Sequence, residues 1–163
     1  MGIPLKNYNL SLPKLNSVGD FASPRSFYYH TGIDLYCSSD QEVIAMESGK
    51  VVKIDHFTGA EADPPSPWWN DTWSILIEGS SGVIGYCELI PDSSIQVGMN
   101  VKAGQLLGRI TPVLKKDKGN GTSMLHLEWY VSGTTEHVTW ALDTPQPTQL
   151  RNPRELLSQC NSK

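Results

Sequence analysis

Long apolar runs are missing from this chain. None approaches the roughly 18 residues that a membrane-spanning helix needs, so no such span is expected. The first residues, Met1-Gly2-Ile3-Pro4-Leu5-Lys6, lack the apolar stretch of a signal peptide, and Lys6 stands where N-myristoylation requires Ser or Thr. The expected compartment is therefore the cytoplasm by default, or outside it if an export signal was trimmed. Basic residues are in deficit, 13 Lys and Arg against 17 Asp and Glu, for a net charge of −4. That balance leaves no electrostatic footprint for nucleic acid or an anionic membrane surface. Cysteine is scarce as well. Cys37, Cys87 and Cys160 are too few and too scattered for a disulfide framework or a thiolate zinc site. They are expected to be reduced thiols, with Cys37 and Cys87 packed inside strands. Glycosylation patterns occur at Asn9-Leu10-Ser11, Asn70-Asp71-Thr72 and Asn120-Gly121-Thr122. Without a secretory signal they read as chance.

Sustained helical periodicity is also missing before residue 150. What the chain has instead is a series of short β-type runs separated by glycine turns: Val43 to Ala45, Val51 to Ile54, Ser74 to Glu78, Val83 to Leu89, Leu106 to Ile110 and Met124 to Val131. One helix start stands out at Asn152-Pro153-Arg154-Glu155, where Asn152 can cap, Pro153 suits the first turn and Glu155 can close a capping box before Leu156 and Leu157. With 163 residues, one domain can bury a real core and two would each be marginal. The pattern predicts an all-β domain over 27–163 with a short C-terminal helix. A polar arm over residues 1–26, carrying Pro4, Pro13 and Pro24, is expected to lie extended on that domain.

Val43, Ala45, Gly49 and Val51 recur as Val101, Ala103, Gly108 and Ile110, an echo that suits short strands bending at glycine. The same echo raises a biotinyl or lipoyl carrier domain as an alternative. That fold needs a modifiable lysine at a hairpin tip. Here Ala45-Met46 is followed by Glu47, and Asp117-Lys118 leads into a glycine-rich loop without a matching partner.

Three segments carry residues capable of chemistry. In His30-Thr31-Gly32-Ile33-Asp34, Gly32 argues against a helix, and a turn there can bring the imidazole and the carboxylate together. Both are normal zinc ligands. In Met124 to Val131, strand period puts Met124, His126, Glu128 and Tyr130 on one face and Leu125, Leu127, Trp129 and Val131 on the other. The second face is an ordinary core, and the first, half polar around a histidine, suits a strand lining a cleft. The third segment is Tyr86-Cys87-Glu88-Leu89, where the same period puts Ile84, Tyr86 and Glu88 on one side.

In order and context these segments resemble the lysostaphin-like (LytM-type) zinc endopeptidases. Phe27-Tyr28-Tyr29-His30-Thr31-Gly32-Ile33-Asp34-Leu35, then Val43-Ile44-Ala45 and Gly49-Lys50-Val51-Val52, are similar to the first metal motif and the hairpin after it. Val97 to Gly108 resembles the segment before the last metal-binding strand, and Leu125-His126-Leu127-Glu128 resembles that strand. The resemblance implies two packed antiparallel sheets of the LytM-like, barrel-sandwich hybrid type. It implies zinc held by His30, Asp34 and His126, with a fourth position left for water, as in catalytic rather than structural sites. It also implies hydrolysis of peptide bonds, with a peptide or peptidoglycan-like ligand as the partner.

Two departures bear on that activity. The family has two further histidines that handle protons beside the metal. Met124 and Glu88 stand in their places here. Methionine cannot carry a proton, whereas a carboxylate is the usual general base of other zinc peptidases, so Glu88 is the candidate catalytic residue. The alternative is an inactive zinc-binding module that acts in ligand binding or regulation. An inserted Pro- and Trp-rich loop at 58–73 includes Trp68 and Trp69, which either form a stacking wall for a sugar or peptide or tuck inward to hold the loop down. His56 and His137 match no motif and read as surface or structural histidines.

Overall fold

The computed structural model describes residues 1–115 and 123–160. The Asn120-Gly121-Thr122 pattern and Lys118 lie outside them. Within the described residues the chain forms strands β1 (Ile33–Tyr36), β2 (Glu42–Ile44), β3 (Gly49–Thr58), β4 (Thr72–Gly79), β5 (Gly82–Pro91), β6 (Asn100–Val101), β7 (Leu106–Ile110), β8 (Met124–Tyr130) and β9 (Leu150–Arg151), followed by one short helix, α1 (Pro153–Leu157). Every run expected from the glycine-bounded pattern is a strand. Thr58, Thr72 and Trp73, expected in the inserted loop, belong to strand ends instead. Cys87 is buried in β5 as expected, but Cys37 lies just past β1, half-buried; all three thiols are free. Helix α1 starts where Asn152 accepts a hydrogen bond from the Arg154 backbone N–H at 3.0 Å, with Pro153 in the first turn.

The pairings are all antiparallel, in the order β1-β8-β5-β4-β3-β6, with β9 on β8. Strands β2 and β7 make a second layer, joined to the first because β7 also pairs with the end of β5, Leu89 to Pro91. The two layers are thus one continuous hydrogen-bonded sheet that folds over itself along β5. The fold occurs at a bulge. Trp73 pairs with Leu89 and Ser74 with Cys87, which leaves Glu88 as the extra residue at φ +70°. A bulge of this kind bends a strand and is a common way for it to pass between layers.

The main core lies between the layers. Ile33, Leu35, Val43, Val51, Ile75, Ile77, Ile84, Tyr86, Leu125 and Leu127 meet there, closed by Leu156 and Leu157 of α1. Burying each aliphatic side chain of this size contributes roughly 1.5–3 kcal/mol. The outer face of the main layer carries a smaller cluster, in which Leu76, Val83, Tyr130, Trp140 and Leu150 pack with Phe21 and Tyr29.

Residues before Tyr28 run over the domain and are tied to it. Leu5 is buried and bridges Val43, the Gly2 N–H donates to the Met46 carbonyl, and the Asp34 N–H donates to the Gly19 carbonyl. Asp20 is fixed by Arg154 at 2.7 Å. No helix of the described residues is long and apolar enough to cross a membrane.

Candidate metal centre

The strand register assembles the site. Asp34 on β1 lies directly opposite His126 on β8, which in turn lies opposite Cys87 on β5. Gly32, in the turn just before β1, lets His30 fold back onto this row. A Cβ at Gly32 would sit 2.5 Å from the Leu127 carbonyl oxygen and 2.7 Å from two atoms of the His126 ring, so only glycine permits that approach. All three candidate ligands are buried. His30 Nε2 is 3.0 Å from His126 Nδ1 and 3.1 Å from Asp34 Oδ1, and His126 Nδ1 is 3.0 Å from the same Asp34 oxygen.

The remaining hydrogen bonds determine what these three atoms offer. His30 Nδ1 lies 2.8 Å from the Asp20 carbonyl oxygen, which can only accept, so Nδ1 carries the proton and Nε2 presents a lone pair. His126 lies between two carboxylates, Nε2 3.2 Å from Glu128 Oε1 and Nδ1 3.0 Å from Asp34 Oδ1; with Nε2 donating to Glu128, Nδ1 is the nitrogen that presents a lone pair once its proton is lost. Two imidazole lone pairs and a carboxylate oxygen therefore converge, and they repel one another unless a proton or a cation sits among them. The donor set is N, O and N, as zinc takes. Tetrahedral zinc bonds of about 2.0–2.1 Å would set such atoms about 3.3–3.4 Å apart, within a few tenths of an ångström of the separations here. These residues fit a metal.

The proton affinities respond to the same geometry. Burial alone would lower the His126 pKa, but hydrogen bonds to Asp34 and Glu128 and their charges raise it well above the ordinary histidine value. Burial would raise Asp34, yet the bonds and charges of His126 and His30 hold it well below the usual carboxylate range. The second oxygen of Asp34 faces Arg25, whose Nη2 is 3.7 Å away and also donates to the Val18 carbonyl at 2.7 Å.

Behind His126 stands a buried carboxylate with every lone pair used. Glu128 Oε1 accepts from His126 and from Thr31 Oγ1 at 2.8 Å; Oε2 accepts from Tyr130 at 2.7 Å and from His137 Nδ1 at 2.5 Å. Burial opposes its ionisation, but the charge of His137 and the bonds from both histidines hold it well below the usual range. Phe57 stacks on His126 at 5.5 Å and meets His137 at 5.4 Å. Cys87, Glu128 and His137 also bring ligand-type atoms together. Their chemistry is that of hydrogen-bonded support, because burial and the Glu128 charge push the Cys87 thiol well above its ordinary value and the Glu128 oxygens are already taken.

Glu88 reaches this neighbourhood by a different route from the one strand period implies. Alternation puts Tyr86 and Glu88 on one face. Instead, Tyr86 is fully buried in the main core, its hydroxyl accepting from the Met46 N–H at 2.9 Å, while the bulge turns Glu88 to the other side. There burial first, and then the Asp34 charge, raise its carboxyl to about 8, against the opposing pull of His126 and Arg25. Its Oε2 is enclosed and has no hydrogen-bond partner among the described residues. Met124 shares the face of His126, two residues along β8. Trp68 is 63% exposed, and Trp69 is half-buried, its ring 6.1 Å from Trp68 in an edge-on contact. Their loop runs into β4, the strand beside the Glu88 bulge. His56 packs at a tilt against Trp73, with ring centroids 5.2 Å apart, and joins neither cluster of ligand-type atoms.

Sequence patterns do not reveal His137, Arg25 or the Asp20 carbonyl. The one available signal was Glu128: a carboxylate on the histidine face of a buried strand requires donors from elsewhere in the chain.

Residues 28–138 match the model of peptidase family M23. The chain belongs to this family. M23 peptidases are generally metal-dependent, and the matched segment contains His30, Asp34, Glu88, His126, Glu128 and His137. Among solved structures, the catalytic domain of the antimicrobial peptidase lysostaphin from Staphylococcus simulans is similar over 88% of this M23 chain and 91% of its own, with 19% identity and a TM-score of 0.55. The solution structure of lysostaphin is similar over 80% of this chain and 43% of its own, with 18% identity and a TM-score of 0.52. At these identities the likeness establishes the M23 fold. No curated protein sequence matches the chain.

Proposed function

We propose that this M23 protein is a zinc-dependent peptidase acting on peptide bonds of the cell-wall type, with His30, Asp34 and His126 as the zinc ligands. The observation that supports this most is the convergence of His30 Nε2, Asp34 Oδ1 and His126 Nδ1 at 3.0–3.1 Å, with the far nitrogen of each imidazole held by an acceptor outside the triad. Zinc, when bound, polarises a scissile carbonyl and makes water acidic enough to attack near neutral pH.

The chain's own residues supply the rest. Glu88 takes a proton from the attacking water as its oxygen bonds to the carbonyl carbon, and returns it to the leaving nitrogen as the C–N bond breaks. Asp34 and Arg25 set the charge at Glu88. A cation on the triad offsets the Asp34 carboxylate, and the Arg25 guanidinium favours the ionised form that a base requires. Trp68 offers a solvent-facing aromatic surface for a peptide or peptidoglycan-like ligand, with Trp69 bracing it from the edge.

Met124 favours a second reading, because it provides no proton carrier on the face of His126. On that reading the domain binds zinc and ligand without turnover. One comparison separates the two. If the peptidase reading holds, wild type hydrolyses glycine-rich or stem-type peptides and Glu88→Gln lowers turnover by roughly 10² to 10⁴ with zinc retained. If wild type is inert and the double change Glu88→His, Met124→His gains activity, the module reading replaces it.

A further inference from the structure

The strongest geometry outside the ligands is the chain of contacts leading away from His126. From His126 Nε2 it runs 3.2 Å to Glu128 Oε1, then from Glu128 Oε2 2.5 Å to His137 Nδ1, and from His137 Nε2 2.7 Å to Ser74 Oγ. Its members come from three separate parts of the chain: β4, β8 and the segment after β8. The Glu128 carboxylate only accepts, so His137 Nδ1 carries a proton, and His137 Nε2 shares a hydrogen bond with the Ser74 hydroxyl, which can donate or accept. Two donors on each Glu128 oxygen leave the carboxylate no freedom to rotate.

We infer that His137 is a positioning residue for the metal centre: it locks Glu128, and through Glu128 holds His126 in the tautomer and orientation that present Nδ1 to the metal. The proposal rests on His126 being a ligand. Outer-shell partners of this kind are worth about 10- to 100-fold in metal affinity. His137 also packs on Phe57, and Phe57 stacks on His126, so the same residue restrains the ring from its face as well as its edge. His30 is held differently, its Nδ1 bonded to the backbone carbonyl of Asp20.

The test is zinc affinity, measured by competition with a chromophoric chelator on the full chain, together with the visible absorption spectrum of the cobalt-substituted protein. His137→Phe keeps the packing on Phe57 and removes the donor to Glu128. It should weaken zinc binding by about 10- to 100-fold and alter the cobalt spectrum. His137→Gln retains an N–H donor and should recover most of the loss, a rescue that a purely structural role would not produce. Ser74→Ala, which cuts only the far end, should show a smaller loss in the same direction and remains informative if His137→Phe fails to fold. Zinc affinity within twofold of wild type in all three variants, with His126→Ala severely impaired, would overturn the proposal while leaving the ligand assignment intact. Unchanged affinity in His126→Ala would remove both.

Discussion

Replacing Glu88 by Gln should stabilise the metal-stripped protein at alkaline pH, the opposite direction from the loss of turnover expected under the proposed function. Glu88 stands at the bulge with one enclosed oxygen that has no hydrogen-bond partner among the described residues. Burial and the Asp34 charge raise its carboxyl from an ordinary 4.5 to about 8. One pH unit corresponds to about 1.4 kcal/mol, so the ionised form carries a penalty of about 3–5 kcal/mol. The folded pKa lies above the unfolded one. Below the unfolded value both states hold the proton and no penalty applies. Between 4.5 and about 8 the unfolded chain releases its proton first and the wild type loses stability; above that window the loss is constant. Glutamine does not titrate, but its amide leaves an unpaired donor that costs about 1 kcal/mol. The variant should therefore be close to wild type near pH 5 and about 2–4 kcal/mol more stable near pH 9. Denaturant unfolding of chelator-treated protein at the two pH values measures this. Asp34 and His126 titrate in both proteins and largely cancel in the difference. A stability difference that is the same at both pH values would refute the account of Glu88.

Two further predictions concern the ligands. Because His126 holds a proton well above the ordinary histidine value in the metal-free site, zinc binding at neutral pH should release about one proton, and the affinity should rise with pH. Calorimetry in buffers of different ionisation enthalpy would reveal this, and binding without proton release would contradict it. Gly32→Ala would place a methyl 2.5 Å from the Leu127 carbonyl oxygen, forcing β1 away from β8. It should cost about 1–3 kcal/mol of stability and weaken zinc binding. An unchanged melting temperature and zinc affinity would show that the turn is not what brings His30 to the row.

Much of the architecture was legible because it follows from local rules. Alternation along Met124 to Tyr130 separates Leu125 and Leu127, which are in the main core, from His126 and Glu128, which are not. Asn152-Pro153 marks the helix start by cap chemistry that operates within one turn. The convergence of His30, Asp34 and His126 was legible from Gly32 and from the family resemblance together. Alternation failed at Glu88, because a bulge shifts the period by one residue and nothing in Tyr86-Cys87-Glu88-Leu89 announces it. The supporting contacts were not legible for a different reason. His137, Arg25 and Asp20 reach the site from segments without periodicity, and only the folded chain shows which carboxylate or imidazole each one meets.

The central claim is that His30, Asp34 and His126 form one zinc site, and zinc titration of purified, chelator-treated protein tests it most directly. Wild type should bind one zinc per chain. His126→Ala should lose that binding almost entirely, and His56→Ala, which removes a ring packed against Trp73 instead, should keep it. Equal zinc binding by all three proteins, or none by the wild type, would contradict the account.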